Sequence, residues 1–133
     1  MRGKKFGLSK EEIIKKSGEI TQIIKNSNSV TGSFVRIYYR LCPTRDVASR
    51  VAFAVSRKVK KAVLKNRAKR LLREVYRLNK HQLIDLLSLK NMAIDMVLIF
   101  IGEADILKRL KYADVERDFR NSLEKILALI NEV

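Results

Sequence analysis

Apolar residues recur along this chain with two different periods, and the points where the period changes divide it into elements. Leu64, Ala68, Leu71, Leu72, Val75 and Leu78 gather on one side of a wheel drawn at about 100° per residue. That stripe predicts a long amphipathic helix starting near Ala62, with one face toward a core. Val115, Phe119, Leu123, Ile126 and Ile130 repeat at i+4 and i+3 and predict a final helix to about Asn131, with Asp114 as its cap. Between Phe34 and Leu41 the period is two: Val35, Ile37, Tyr39 and Leu41 point one way, Phe34, Arg36, Tyr38 and Arg40 the other. Val51 to Val55 and Ile94 to Ile101 are continuous apolar runs, the second broken only by Asp95, and both read as buried strands. Gly102 ends the second.

Elsewhere the signals are weaker. Ser9 with Glu12 forms a capping-box pattern, with Leu8 and Ile13 as its hydrophobic staple, which would start a helix at Lys10. Gly18 would then lie in that helix's interior at a cost of about 1 kcal/mol. A start near Ser17, with a separate turn over residues 9–16, is the preferred reading, and Ile20 and Ile24 share a face in either case. Residues 26–33, NSNSVTGS, read as a turn, and residues 42–49 as a loop around Pro43. HQLIDLLSLKNM, after Lys80, is an apolar-rich connection with room for an extra helical turn, and residues 103–111 form a mixed, partly helical one. The expected order is α-β-β-α-β-α: an α+β fold with helices packed on a small sheet. A length of 133 residues suits a single domain, 1–133, with residues 1–8 as a mobile basic segment.

Charge changes this picture most in one place. Of the net +15, ten charges fall between Ser56 and Lys80, where eleven cations face a single acid, Glu74. On the predicted helix, Lys65, Asn66, Lys69, Arg70, Arg73 and Arg77 lie opposite the apolar stripe, with Arg67 and Glu74 at the border. A solvated helix face mixes signs at i,i+4, because like charges there repel by a few tenths of a kcal/mol. The row Lys65, Lys69, Arg73 is uniformly cationic, a repulsion that a polyanion relieves. Cations with an amide among them suit phosphate and groove-edge contacts. The Phe34, Arg36, Tyr38, Arg40 face interleaves aromatics with arginines. It reads equally as a stacking platform for nucleic acid or as an edge strand with snorkelling arginines.

Other chemistry is excluded by what is missing. Cys42 and His81 are each the only residue of their type, so neither an intrachain disulfide nor a Cys/His metal site can form. No paired carboxylates and no glycine-rich phosphate loop are present, and the chain holds no catalytic set of its own. Hydrophobic content of 47% with one proline argues against disorder. No apolar run approaches the roughly 20 residues needed to cross a bilayer, and no hydrophobic signal core follows the basic N-terminus. A cytosolic location without membrane contact is expected.

The string AFAVSRKVKKAVLKNRAKRLLREVYR resembles the signature of the bacterial ribonuclease P protein subunit family. That signature runs from a strand ending in Ser-Lys/Arg-Lys, through Lys-Ala-Val, to Arg-Asn-Arg, Lys-Arg and Arg-Glu on the following helix. Lys65 stands where the first Arg of Arg-Asn-Arg is usual, and Ala52 and Lys60 where glycines are usual. The resemblance implies the fold of the second domain of ribosomal protein S5, with one additional short strand in some descriptions and a left-handed crossover through the basic helix. It further implies an endoribonuclease holoenzyme that removes the 5′ leader of precursor tRNA, with hydrolysis performed by a catalytic RNA subunit and Mg²⁺ held mainly by RNA. The protein itself is expected to bind no cofactor and no small-molecule substrate. The expected contacts to the RNA subunit are Arg57, Lys58, Lys61, Lys65, Asn66, Arg67, Lys69, Arg70 and Arg73. The expected leader cleft is formed by Ile20, Ile24, Phe34, Arg36 and Tyr38, the two isoleucines standing where the family carries aromatics.

Two other classes compete. A ribosomal or RNA-chaperone protein would share the basic helix without any role in tRNA cleavage. A helix-turn-helix DNA binder would need a short helix where residues 51–55 read as strand.

Overall fold

The structure, a computed structural model, describes residues 7–133. A four-stranded sheet has the order β1-β2-β4-β3, with β1 at Asn28–Thr31, β2 at Val35–Pro43, β3 at Ser49–Val55 and β4 at Met92–Phe100. The last strand in sequence sits between antiparallel β2 and parallel β3. Its central position explains its nearly unbroken apolar run, since a strand covered on both faces needs no alternation. Helices α1 (Ser17–Lys25), α2 (Ala62–Asn79), α3 (His81–Leu89), α4 (Ala104–Leu107) and α5 (Tyr112–Asn131) complete the domain. The connection from β3 to β4 runs through α2 and α3.

The two faces of the sheet are covered unequally. Val35, Ile37, Val51, Ile94, Met96 and Leu98 meet the apolar faces of α2, α3 and α5 in the main core. The opposite face carries Ala52 and Val97, covered by Ile14 and by Ile23 of α1, with Ile20, Ile24, Tyr38 and Ile99 packed around them. One short helix over this face leaves a margin open along its flank.

Several expectations are corrected. Residues 28–31 form a strand, β1, paired antiparallel with β2 from Asn28↔Tyr39 to Thr31↔Arg36. Its polar sequence gives no period, because only one side is paired and most of it is exposed. The connection after Lys80 is a full nine-residue helix, ended by Asn91 in the left-handed conformation (φ 56°) that Asn tolerates. Asp114 lies inside the first turn of α5, and its carboxylate accepts from the N–H of Lys111, the true cap position, at 3.1 Å. On α2, Leu71 is only half-buried and Leu78 is 43% exposed, while Tyr76 is fully buried. Tyr76 belongs to the core because its hydroxyl finds a partner there, the hydroxyl of buried Ser49.

The N-terminal segment follows the preferred reading. A 3₁₀ turn at Lys10–Glu12 precedes α1, and Glu12 reaches back to the N–H of Ser9 at 2.8 Å. Glu12 also pairs with Lys80, which is only 3% exposed and donates to the Gly7 carbonyl as well. Lys80 therefore leaves the basic surface that its sequence position suggested. These contacts fix residues 7 and 8 against the domain, Leu8 packing on the main core. The expectation for residues 1–6 lies outside the described residues.

Candidate nucleic-acid interface

The outer face of α2 presents Lys65, Asn66, Lys69, Arg70 and Arg73, all exposed. The apolar stripe is drawn inward by burial of Leu64, Ala68, Leu72 and Val75, and this orients the cations outward. Among the described residues, Lys65, Lys69 and Arg70 make no ion pair. Glu74 is taken by Arg77, whose Nη2 donates at 2.7 Å and holds the carboxyl below the ordinary range. The one acid of the helix, near Arg77 and Arg73, thus leaves Lys65 and Lys69 uncompensated.

Upstream, Arg57 and Lys58 are exposed in the turn after β3, where the Lys58 N–H donates to Ser56 Oγ at 3.2 Å. Lys58 pairs with Glu103 at 3.2 Å, but both side chains are more than half exposed, so the pair is weak and easily exchanged for a phosphate. Lys61 is the N-cap position of α2, whose first turn contains no acid. Its helix dipole adds positive potential to that end. Arg67 is half-buried and also bonded within the domain. Its Nε donates to the Leu107 carbonyl at 2.6 Å and its Nη2 to that of Leu110 at 2.8 Å. A guanidinium committed to two main-chain acceptors fastens α4 and the following turn to α2, which makes Arg67 a structural clamp.

The less covered face of the sheet is organised in rows by strand register. Tyr38, Val97 and Ala52 are opposite one another, as are Arg36, Ile99 and Ala54, and as are Arg40, Asp95 and Arg50. Asp95 is 1% exposed and receives Arg40 Nε at 3.2 Å, Arg45 Nη2 at 2.7 Å and Arg50 Nε at 3.1 Å. Burial alone would raise its pKa, but hydrogen bonds from Arg50 and Arg45 outweigh burial and hold the carboxyl below the usual range. Arg50 also pairs with Glu19 of α1. Sequence reading passed over this cluster, although one acid inside a continuous apolar run was a visible signal.

The five expected cleft residues are not brought together as a set. Ile20 and Ile24 pack with Tyr38 around the second core cluster, as the placement on α1 implied. Arg36 turns along the sheet to Thr31 Oγ1, 3.2 Å from its Nε. Phe34 precedes β2, so strand alternation does not govern it, and it packs against the main core. Its N–H is held by Asp118.

What the structure does bring together is a groove of about 470 Å³ that crosses the β3 edge, from α1 to α2. Ile13, Ile14, Ile20, Ala52 and Phe53 make its apolar floor, and Lys15, Lys69, Arg70 and Arg73 its rims. No acid lines it. Arg73 lies over the Phe53 ring, 5.8 Å from the centroid, and Tyr76 meets that ring edge-on at 6.2 Å. The apolar surface beside α1 and the cationic face of α2 are one continuous feature. Among the described residues, no group of three or more His, Cys, Asp or Glu side chains could hold a metal ion, and no helix is long and apolar enough to cross a membrane.

Comparison with known proteins gives a consistent result. The family model for Ribonuclease P matches residues 8–127. The ribonuclease P protein component of Porphyromonas gingivalis W83 is 35% identical over 123 residues, covering 91% of this chain and 87% of the relative. That of Clostridium botulinum (strain Langeland) is 33% identical over 116 residues, covering 87% and 95%. The solved RNase P protein of Thermotoga maritima has the same fold, with a TM-score of 0.67 at 23% identity, over 86% of this chain and 96% of that one. The small single α+β domain expected from the sequence agrees with this fold, and the chain belongs to the ribonuclease P protein family.

Proposed function

We infer that the chain acts as the protein subunit of bacterial ribonuclease P, the ribonucleoprotein endonuclease that removes the 5′ leader from precursor tRNA. Family membership carries that reading, and with it an RNA partner. The finer assignment rests on one observation: an acid-free cationic helix face continues without a break into an apolar groove beside α1. In this assignment Arg57, Lys58, Lys61, Lys65, Asn66 and Lys69 neutralise phosphates of the catalytic RNA, so that its folded form persists at lower Mg²⁺. Hydrolysis takes place on that RNA, with Mg²⁺ held there. Ile20, Ile24 and Tyr38 border the path of the single-stranded leader.

The test is reconstitution with the catalytic RNA and a precursor tRNA. Added protein should permit cleavage at Mg²⁺ concentrations where the RNA alone is inactive, and should favour precursor over mature tRNA in binding. Unchanged Mg²⁺ dependence together with retained affinity for ribosomal RNA would instead support a general RNA-binding role.

A further inference from the structure

We propose that the groove over the β3 edge is a subsite for one unpaired nucleotide of the leader, with Phe53 as the platform on which its base stacks. The proposal rests on the leader reading above and assigns it a residue that the signature does not. Four observations support it. Phe53 is half-buried, so part of its ring remains accessible at the groove. Tyr76 fixes the ring from its edge, which leaves little rotamer freedom to lose on binding. The apolar floor suits a neutral planar base, while Lys15 on one rim and Arg70 on the other suit the flanking phosphates. Arg73 already occupies the ring face as a cation–π partner. An entering base exchanges that contact for stacking, and the displaced guanidinium can cover the base's outer side.

The chemistry also accounts for a peculiarity of this chain. The α1 residue that lines the groove is Ile20, with Ile24 packed on the same core cluster, and an isoleucine presses on a base without stacking on it. Phe53 supplies the aromatic surface from the strand instead. Recognition of this kind tolerates any base, since every base has a π-face, and it requires the nucleotide to be unpaired.

Phe53→Leu keeps apolar volume against Tyr76 and removes the π-face, and Phe53→Tyr keeps the ring. Holoenzymes carrying each would be assembled with the catalytic RNA in calcium, and dissociation constants measured for precursor and mature tRNA. The Leu variant should lose about fivefold or more in the precursor-to-mature affinity ratio, the scale of one base stack, and the Tyr variant should retain the wild-type ratio. A 2-aminopurine scanned along the leader should be quenched at one position by the wild-type holoenzyme and released by the Leu variant. If the wild-type holoenzyme itself shows no preference for the leader, the leader reading fails. If that preference exists but no position is quenched, or the Leu variant leaves the ratio unchanged, the Phe53 platform alone is overturned. Loss of affinity for the catalytic RNA at an unchanged ratio would place the captured base in the RNA subunit and overturn the assignment to the leader. Should the Leu variant fold poorly, the wild-type quenching scan still decides.

Discussion

Arg50 donates from Nε to Asp95 at 3.1 Å while its Nη2 reaches Glu19, so a single guanidinium joins the buried carboxylate of the sheet to the helix lying across it. The hydrogen bond that Arg50 donates to Asp95 is the chief reason that the Arg50 pKa is raised, with Glu19 contributing further. Helix α1 is short, with Ile23 as its one fully buried residue. Its seating over Val97 and Ala52 therefore relies on this polar link as well as on apolar contact.

Asp95→Asn should destabilise the fold by about 3 kcal/mol, the low end for breaking a buried pair. The low end applies because the three guanidiniums retain 26–31% exposure and can be partly rehydrated. The sign of the pH dependence follows from the depressed carboxyl. Its contribution is fully present above the unfolded-state pKa of about 4 and is lost as pH falls through the lower folded-state value. Wild-type melting temperature should thus decline below about pH 4 more steeply than that of Asp95→Asn. Parallel acid profiles would contradict the linkage.

Asp118 of α5 accepts from the N–H groups of Ser33, Phe34 and Val35 at 2.7, 2.9 and 2.9 Å, pinning the turn between β1 and β2 to the helix. A Cβ at Gly32 would lie 2.5 Å from its Oδ1. Gly32→Ala should cost about 1–3 kcal/mol by displacing that carboxylate, and Asp118→Asn about 2 kcal/mol by weakening charged hydrogen bonds. Because both act on one contact, the double variant should cost clearly less than the sum. Strict additivity in chemical denaturation would separate the two sites.

The two faces of α2 should respond oppositely to truncation. Leu72 is fully buried, and Leu72→Ala should lower stability by about 2–5 kcal/mol. Replacing Lys65, Asn66 and Lys69, all exposed, together by Ala should leave the thermal melt close to wild type while weakening affinity for the catalytic RNA. Melts and RNA titrations on both variants check this, and a reversed pattern would reverse the helix orientation.

Salt should control that RNA affinity. The log-log slope is expected at about −0.7 to −0.9 per phosphate contacted, so a face of several cations should give a slope steeper than about −2. Lys65→Ala with Lys69→Ala should reduce its magnitude by about 1.4 to 1.8, at about 0.7 to 0.9 for each lost phosphate contact. A slope near zero in titrations at several salt concentrations would count against the phosphate contacts.

How much of this was legible in the sequence depends on how local each interaction is. Strand β4 and helices α2 and α5 declare themselves because a core imposes its period on the side chains facing it. Strand β1 does not, since its order comes from pairing with β2 and from the Asp118 clamp on the turn that follows. Arg67 and Lys80 looked like surface cations because charge reads as solvent-facing, yet distant partners at Leu107, Leu110 and Glu12 draw them inward. The groove was illegible for the same reason. Ile20, Phe53 and Lys69 come from three elements, and only the sheet order places them side by side.

The bridge between Ile13 and Val51, with the Ile14 N–H bonded to the Val51 carbonyl at 2.8 Å, has a consequence for solubility. Strand β3 ends the sheet and would otherwise offer its free main-chain groups to another molecule's strand, the usual start of ordered aggregation. The N-terminal segment occupies that edge at its midpoint, and flanking Lys15 and Lys16 repel a second copy. Deleting residues up to Ile14 should therefore expose the edge and promote concentration-dependent self-association, measurable by light scattering, in a protein whose high net charge would by itself keep copies apart.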